Sequence, residues 1–178
     1  MKKIIAALLI STSVLFAQGF TLKSTEISGQ LGIEQVFNGF GCKGENTSPS
    51  LSWVNAPKGT KSFAITMYDK DAPTGSGWWH WVAFDIPKDV MNLVKDAGNA
   101  KQNLMPKGAI QSASSYGSKG FGGACPPVGH GAHQYVFTIY ALDTDKLGID
   151  ANATPALAGY MINAHTLAKA SVIAYYSR

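Results

Sequence analysis

The sequence predicts a mainly β fold, and three stretches carry that reading. Residues 62–68 (Ser-Phe-Ala-Ile-Thr-Met-Tyr) alternate in the manner of a strand with two distinct faces, and residues 80–86 form a dense aromatic and β-branched run. Residues 134–142 set Tyr135, Phe137, Ile139 and Ala141 against Val136, Thr138, Tyr140 and Leu142. In the last two stretches both faces are largely apolar, which fits strands in the middle of a sheet that is covered on both sides.

The remaining elements follow in chain order. Residues 21–27 and 51–54 are shorter strand candidates. After Pro87, residues 90–94 read as a weak helix or a turn. Near the C-terminus Thr154 can cap a helix and Pro155 suits its first turn. Leu157, Tyr160, Met161, Ala164 and Leu167 make an apolar stripe at helical spacing, expected to pack on the core. In Asp150-Ala151-Asn152-Ala153-Thr154 the sequence has the look of a bacterial glycosylation acceptor, but the simpler reading is a loop that caps this helix. Residues 171–176 give a last strand. Between the strands, the Gly-, Pro-, Asn- and Ser-rich segments 38–49 and 112–131 are long for loops, and long loops on a rigid β core usually carry function.

Composition sets the frame. The chain has 178 residues, 46% hydrophobic and 15% charged, enough for one core rather than two. Residues 1–17 have the build of a secretory leader: Lys2-Lys3, an apolar run from Ile4 to Phe16, then Ala17 as the expected cut. That run is too short and too interrupted by Ser11, Thr12 and Ser13 to span a bilayer comfortably, and no cysteine follows the cut to accept a lipid. The expectation is a single domain over residues 18–178, exported to the periplasm or released. Removing the two leader lysines from the 15 basic residues leaves 13 against 11 acidic, so the mature chain keeps +2 of the +4 formal charge. No basic run interleaved with aromatics is present, which argues against nucleic acid as a partner.

Cys42 and Cys125 are an even pair in a chain bound for an oxidising compartment, where a disulfide between distant loops is one reading. The other makes Cys125, near His133, a nucleophile activated by an imidazole.

Two blocks concentrate the chemistry. In the first, a strand delivers Asp69 and Asp71 to a turn stiffened by Pro73 and loosened by Gly75 and Gly77, and the chain re-enters the sheet at His80. In the second, Gly122-Gly123 and Cys125-Pro126-Pro127 precede a strand that opens with His133 and places Tyr135 on the same face two residues on. Converged, these groups suit an anion. Imidazole and phenol donate hydrogen bonds, a carboxylate orients an imidazole through its other nitrogen, and the Gly122 and Gly123 N–H groups add backbone donors. Each such bond to a charged partner contributes roughly 1.5–3 kcal/mol. Taken singly, each histidine reads as an ordinary satisfied polar residue, Asp69 and Asp71 as turn caps, and Trp78, Trp79 and Trp81 as packing. His80, His130, His133 and Asp69 also raise a zinc-dependent hydrolase as a lesser reading.

These residues resemble a known family. Asp69-x-Asp71-Ala72-Pro73, the His80-Trp81 strand ending Asp85-Ile86-Pro87, Cys125-Pro126-Pro127 and His133-x-Tyr135 are similar to the phosphatidylethanolamine-binding protein family, in its bacterial Raf kinase inhibitor-like branch. The segments 46–53 (Asn-Thr-Ser-Pro-Ser-Leu-Ser-Trp) and 158–164 add to the match, which runs from about Phe37 to the C-terminus. The resemblance implies a β-sandwich with a few peripheral helices, including one C-terminal helix. It further implies a small surface pocket for phosphate-bearing or other anionic head groups, with no cofactor and no established catalytic reaction for this branch. Asp69, His80, His133 and Tyr135 match the polar lining of that pocket, Pro73, Pro126 and Pro127 its rim, and Asp71 a supporting acid. The sequence departs from the pattern at Lys70, where proline is usual, at Gln134, where arginine is usual, and at Ser114-Ser115, where Asn-Asp commonly stands. The expected function is therefore binding of a phosphate monoester or phospholipid head group. The alternative is a protein-interaction or inhibitor module working through the 112–131 loop, and a homodimer is compatible with either.

Overall fold

The structure, a computed structural model, describes residues 19–178. The leader expected over residues 1–17 lies outside the described residues. In chain order the elements are β1 (Thr21–Lys23), a 3-10 turn (Ile33–Gln35), β2 (Leu51–Val54), β3 (Ser62–Asp69), β4 (Trp78–Pro87) and β5 (Asn92–Leu93). They continue with β6 (Ile110–Gln111), β7 (His133–Leu142), α1 (Pro155–Ala164) and β8 (Thr166–Tyr176).

Two antiparallel sheets result. The larger is five-stranded in the order β6-β4-β3-β7-β8, the smaller three-stranded in the order β1-β2-β5. Side chains alternate across a strand, so β3 and its neighbours send Phe63, Ile65, Met67, Phe137 and Ile139 to one face. There they meet Leu22, Leu51, Trp53 and Leu93 of the smaller sheet in the main core. The opposite face of the large sheet carries Ala64, Val82, Phe84 and Leu142, covered by Ala158 and Ile162 of α1. Burying each such large side chain contributes about 1.5–3 kcal/mol, which is why the central strands must be apolar on both faces. The mainly β fold, the sandwich and the single C-terminal helix agree with expectation.

One local expectation is narrowed and two are corrected. Residues 90–94 are not helical: Val90 N–H closes a turn on the Pro87 carbonyl, and Met91 to Leu93 run extended beside β2, with Trp53 N–H donating to the Met91 carbonyl. The helix ends at Ala164, so Leu167 belongs to β8, which starts at Thr166 rather than at Ser171. The helical stripe also does not face the core. Leu157 is 45% and Tyr160 71% exposed, whereas the small residues Ala158 and Gly159 are buried with Ile162. A close helix-on-sheet approach explains this, since even a β carbon at Gly159 would sit 3.4 Å from the Trp79 ring. Thr154 caps the helix as expected, its Oγ1 accepting from Leu157 N–H.

Among the described residues no helix is long and apolar enough to cross a membrane.

Candidate functional site

Hairpin geometry collects the polar groups. β3 runs antiparallel to both β4 and β7, so its last residue, Asp69, lies level with Trp78 at the start of β4 and with Tyr135 near the start of β7. His80 is two residues into β4 and His133 opens β7. The turn between β3 and β4 depends on Gly77, whose φ is +68°. Any β carbon there would collide with the Tyr68 hydroxyl and the Asp69 carbonyl.

Asp69, His80 and His133 border one cavity of about 170 Å³. Pro73 and Thr74 of the turn after β3, and Cys125, Pro126 and Pro127 of the loop before β7, also line it. Phe40, Trp78 and Tyr116 complete the wall. Cys125 is bonded to Cys42, with Cα atoms 5.9 Å apart. The nucleophilic reading of Cys125 is thereby excluded, and the paired reading stands.

The hydrogen bonds fix what each group presents. Asp69 accepts from His133 Nδ1–H at 2.7 Å and from Asp71 N–H at 2.9 Å, with both carboxyl oxygens used. His133 turns its Nε2 to His130 Nδ1 at 3.0 Å, forming a carboxyl–imidazole–imidazole chain that leads out to exposed His130. Among the described residues no three of His, Cys, Asp and Glu are placed to hold one metal ion, so the zinc constellation does not assemble. His80 places Nδ1 within 2.8 Å and 3.0 Å of the Gly122 and Gly123 carbonyl oxygens. Both are acceptors, so Nδ1 must carry a hydrogen. Burial pushes the His80 imidazole down from its usual 6.5 to about 4, against the pull of those carbonyls and of Asp69.

The remaining predicted residues serve differently. Asp71 does not border the cavity; its carboxyl takes the Gln134 N–H at 2.8 Å and the Lys70 ammonium at 2.7 Å, pinning the turn to β7. The Lys70 hydrogen bond is what holds its carboxyl below the usual range. Tyr135 is fully buried beneath the cavity, its ring 5.2 Å from that of His80, and its hydroxyl has no hydrogen-bond partner. Burial first, and Asp69 second, push its phenol well above the usual range.

Gly123 is corrected most. Its N–H donates to Asn46 Oδ1 at 2.7 Å and the Gly122 N–H donates to the His80 carbonyl at 2.8 Å, so neither is offered to a ligand. Instead both glycines present carbonyls that orient His80. In the 112–131 loop Ser112, Ser114, Pro126 and residues 120–124 are buried and Tyr116, Cys125, Pro126 and Pro127 line the cavity, while residues 117–119 and 127–131 are exposed. Ser115 contributes by accepting the Trp79 N–H, and Gln134 points its amide to the Tyr175 hydroxyl rather than the cavity.

Two wall residues escaped the sequence reading. Tyr116 stacks on Phe37 with centroids 4.2 Å apart, lies edge-on to His80 at 5.5 Å and donates its hydroxyl to the Gly123 carbonyl at 2.9 Å. Phe40 stands 69% exposed at the mouth. Both come from aperiodic loops, where only an isolated aromatic among small residues could have drawn attention.

A stability test checks the His80 assignment. Because the folded state holds the ring neutral while the unfolded chain takes up a proton below about 6.5, this contribution is complete above that pH. It is lost as pH falls toward 4, amounting to about 3 kcal/mol. Urea denaturation of the wild type and of His80→Asn, whose amide can still donate to the glycine carbonyls, should show the wild type losing roughly 2–3 kcal/mol more between pH 7 and pH 4. Equal losses in the two proteins would mean that the ring is not held neutral.

Both the sequence and the twin-sheet architecture are shared with known proteins. The profile of the phosphatidylethanolamine-binding protein family matches residues 23–177, and the chain belongs to that family. Among curated proteins it is similar to the UPF0098 protein YbcL of Escherichia coli (strain K12), 49% identical over 177 residues, spanning 95% of this chain and 97% of the relative. It is also similar to the UPF0098 protein YbhB of the same organism, 46% identical over 142 residues, 80% of this chain and 89% of that one. The crystal structure of E. coli YbcL, described as a new member of the mammalian PEBP family, superposes with a TM-score of 0.88 at 50% identity, covering 89% of this chain and 98% of that one. A PEBP homolog from Chlamydia trachomatis, CT736, gives 0.73 at 25% identity, covering 89% and 97%.

Proposed function

We propose that this protein binds a phosphate-bearing small molecule, such as a phosphate monoester or a phospholipid head group, in the cavity at the ends of β3, β4 and β7, and that it does so after export. The carrying observation is the meeting of Asp69, His80 and His133 around a space of about 170 Å³. Sites for drug-sized ligands measure about 300–1,000 Å³, so this one suits a head group, with any hydrophobic tail left outside against Phe40, Pro73 and Pro127. The family's name points to the same class of ligand. The leader-like segment 1–17 and the disulfide both support export. Binding rather than turnover is the reading we adopt.

A handful of polar contacts leaves little surplus after association costs, and the affinity should be micromolar or weaker. One preparation tests the whole reading. Protein recovered from its own cells should begin at Gln18, and calorimetry should show it taking up phosphate and O-phosphorylethanolamine at millimolar concentration, with His133→Ala at least tenfold weaker. A retained leader would overturn export. No uptake, or equal uptake by a folded His133→Ala, would overturn the site.

A further inference from the structure

The cavity wall is rich in hydrogen-bond acceptors. His80 Nδ1–H is committed to two glycine carbonyls, and Nε2, on the other side of the ring, has no protein partner while the side chain borders the cavity. In the neutral ring Nε2 is a lone pair. Asp69 is an acceptor through both oxygens, already serving His133 and Asp71 N–H. The Tyr116 hydroxyl donates elsewhere, to the Gly123 carbonyl. A fully deprotonated anion entering this space could take the Trp78 indole N–H, which no hydrogen bond claims, but at His80 and Asp69 it would set its oxygens against a lone pair and a carboxyl. An anion that keeps one acidic hydrogen would instead donate it to Nε2.

We propose that the cavity selects phosphates that retain a P–OH group, with His80 Nε2 as the acceptor that reads that hydrogen. This rests on the reading of the cavity as a phosphate site and deepens it by naming the form bound. Inorganic phosphate near neutral pH has at least one P–OH. A monoester has one only around and below its second ionisation, near pH 6. A phosphodiester and sulfate have none. The cavity therefore discriminates among oxyanions of similar size, and favours free phosphate and protonated monoesters over the diester of an intact phospholipid.

The groups facing His80 define what else could titrate. They are Asp69 on β3, His133 and Tyr135 on β7, and Tyr116 on the loop, with His130 behind His133. The imidazole is held neutral at pH 7 by burial, so its lone pair is available there. A ligand comparison at fixed pH cancels the titration of these protein groups. Sulfate matches the charge and size of monohydrogen phosphate and lacks only the hydrogen.

Calorimetry at pH 7 with inorganic phosphate, sulfate, methyl phosphate and dimethyl phosphate makes the test. Phosphate should bind at least tenfold more tightly than sulfate and dimethyl phosphate. Methyl phosphate should lose about tenfold in affinity per pH unit above its second ionisation, following the protonated fraction. His130→Gln should keep the phosphate-over-sulfate ratio. His80→Asn, which retains the donor to the glycine carbonyls but lacks a counterpart of Nε2, should bring that ratio near one. Sulfate binding as well as phosphate in the wild type, or a flat methyl phosphate profile, would overturn the proposal while leaving the cavity as an anion site. Failure of every ligand at every pH would overturn the underlying site as well.

Discussion

Replacing both Cys42 and Cys125 by alanine should produce one of the largest losses of stability available in this protein, together with a loss of ligand uptake. The bond closes a segment of sequence separation 83, for which the chain-entropy relation gives roughly 4.5 kcal/mol. That figure is a ceiling, because the two joined segments are also laced by backbone. Phe37 N–H donates to the Ala124 carbonyl at 2.9 Å and Ala124 N–H to the Gln35 carbonyl at 3.0 Å. A measured loss of about 2–4 kcal/mol in urea denaturation is therefore expected, and dithiothreitol should reproduce it in the wild type. Uptake should fall because Cys125 is itself wall and its neighbours hold the mouth: the Arg178 guanidinium donates to the Pro126 carbonyl, and Phe40 follows Gly39 toward Cys42. A loss below about 1 kcal/mol with uptake intact would show that the backbone bonds alone fix this wall. Two titratable thiols in unreduced protein would remove the premise.

The parts of the molecule that could be read from its sequence are those in which chemistry repeats. β4 and β7 were legible because a strand between two covered faces must be largely apolar at successive positions, as residues 80–86 and 134–142 are, and β3 because residues 62–68 alternate. Asp69, His80 and His133 were legible because each is a titratable group at the end of such a strand. β5 and β6 span two residues each and have no period to detect; pairing with β2 and β4 alone makes them strands. The buried face of α1 was misread because large apolar residues were assumed to point inward, while close packing on Trp79 selects Ala158 and Gly159. Roles were harder still. Nothing near His80 in sequence says which ring nitrogen holds the hydrogen; carbonyls 42 and 43 residues away decide it. The same long-range pairing consumed the glycine N–H groups that local reasoning had assigned to a ligand.

That reassignment gives Gly123→Ala the second large expected effect, for a reason unrelated to ligand contact. A β carbon at position 123 would lie 2.6 Å from both the Phe37 nitrogen and the Val36 carbonyl carbon, and would strike the Gln35 carbonyl oxygen. These are backbone atoms of a segment tied to Ala124 on its other side, so they cannot rotate out of the way as a side chain would. Overpacking of this kind costs about 1–3 kcal/mol, and shifting the residue also strains the bonds it makes to Asn46, Tyr116 and His80. A total near 3 kcal/mol corresponds to a fall in Tm of about 6–12 °C for a chain of this size. The matched control is Gly32→Ala, where the nearest atom, the flexible Gln35 amide oxygen, is 3.7 Å away and little change is expected. Because His80 takes its tautomer from the Gly122 and Gly123 carbonyls, the alanine variant should also blur the preference for phosphate over sulfate at temperatures where it remains folded. If Gly123→Ala proved as stable as the control and equally selective, the backbone around Gly123 would be soft, and a deformable backbone could not hold the imidazole in one orientation.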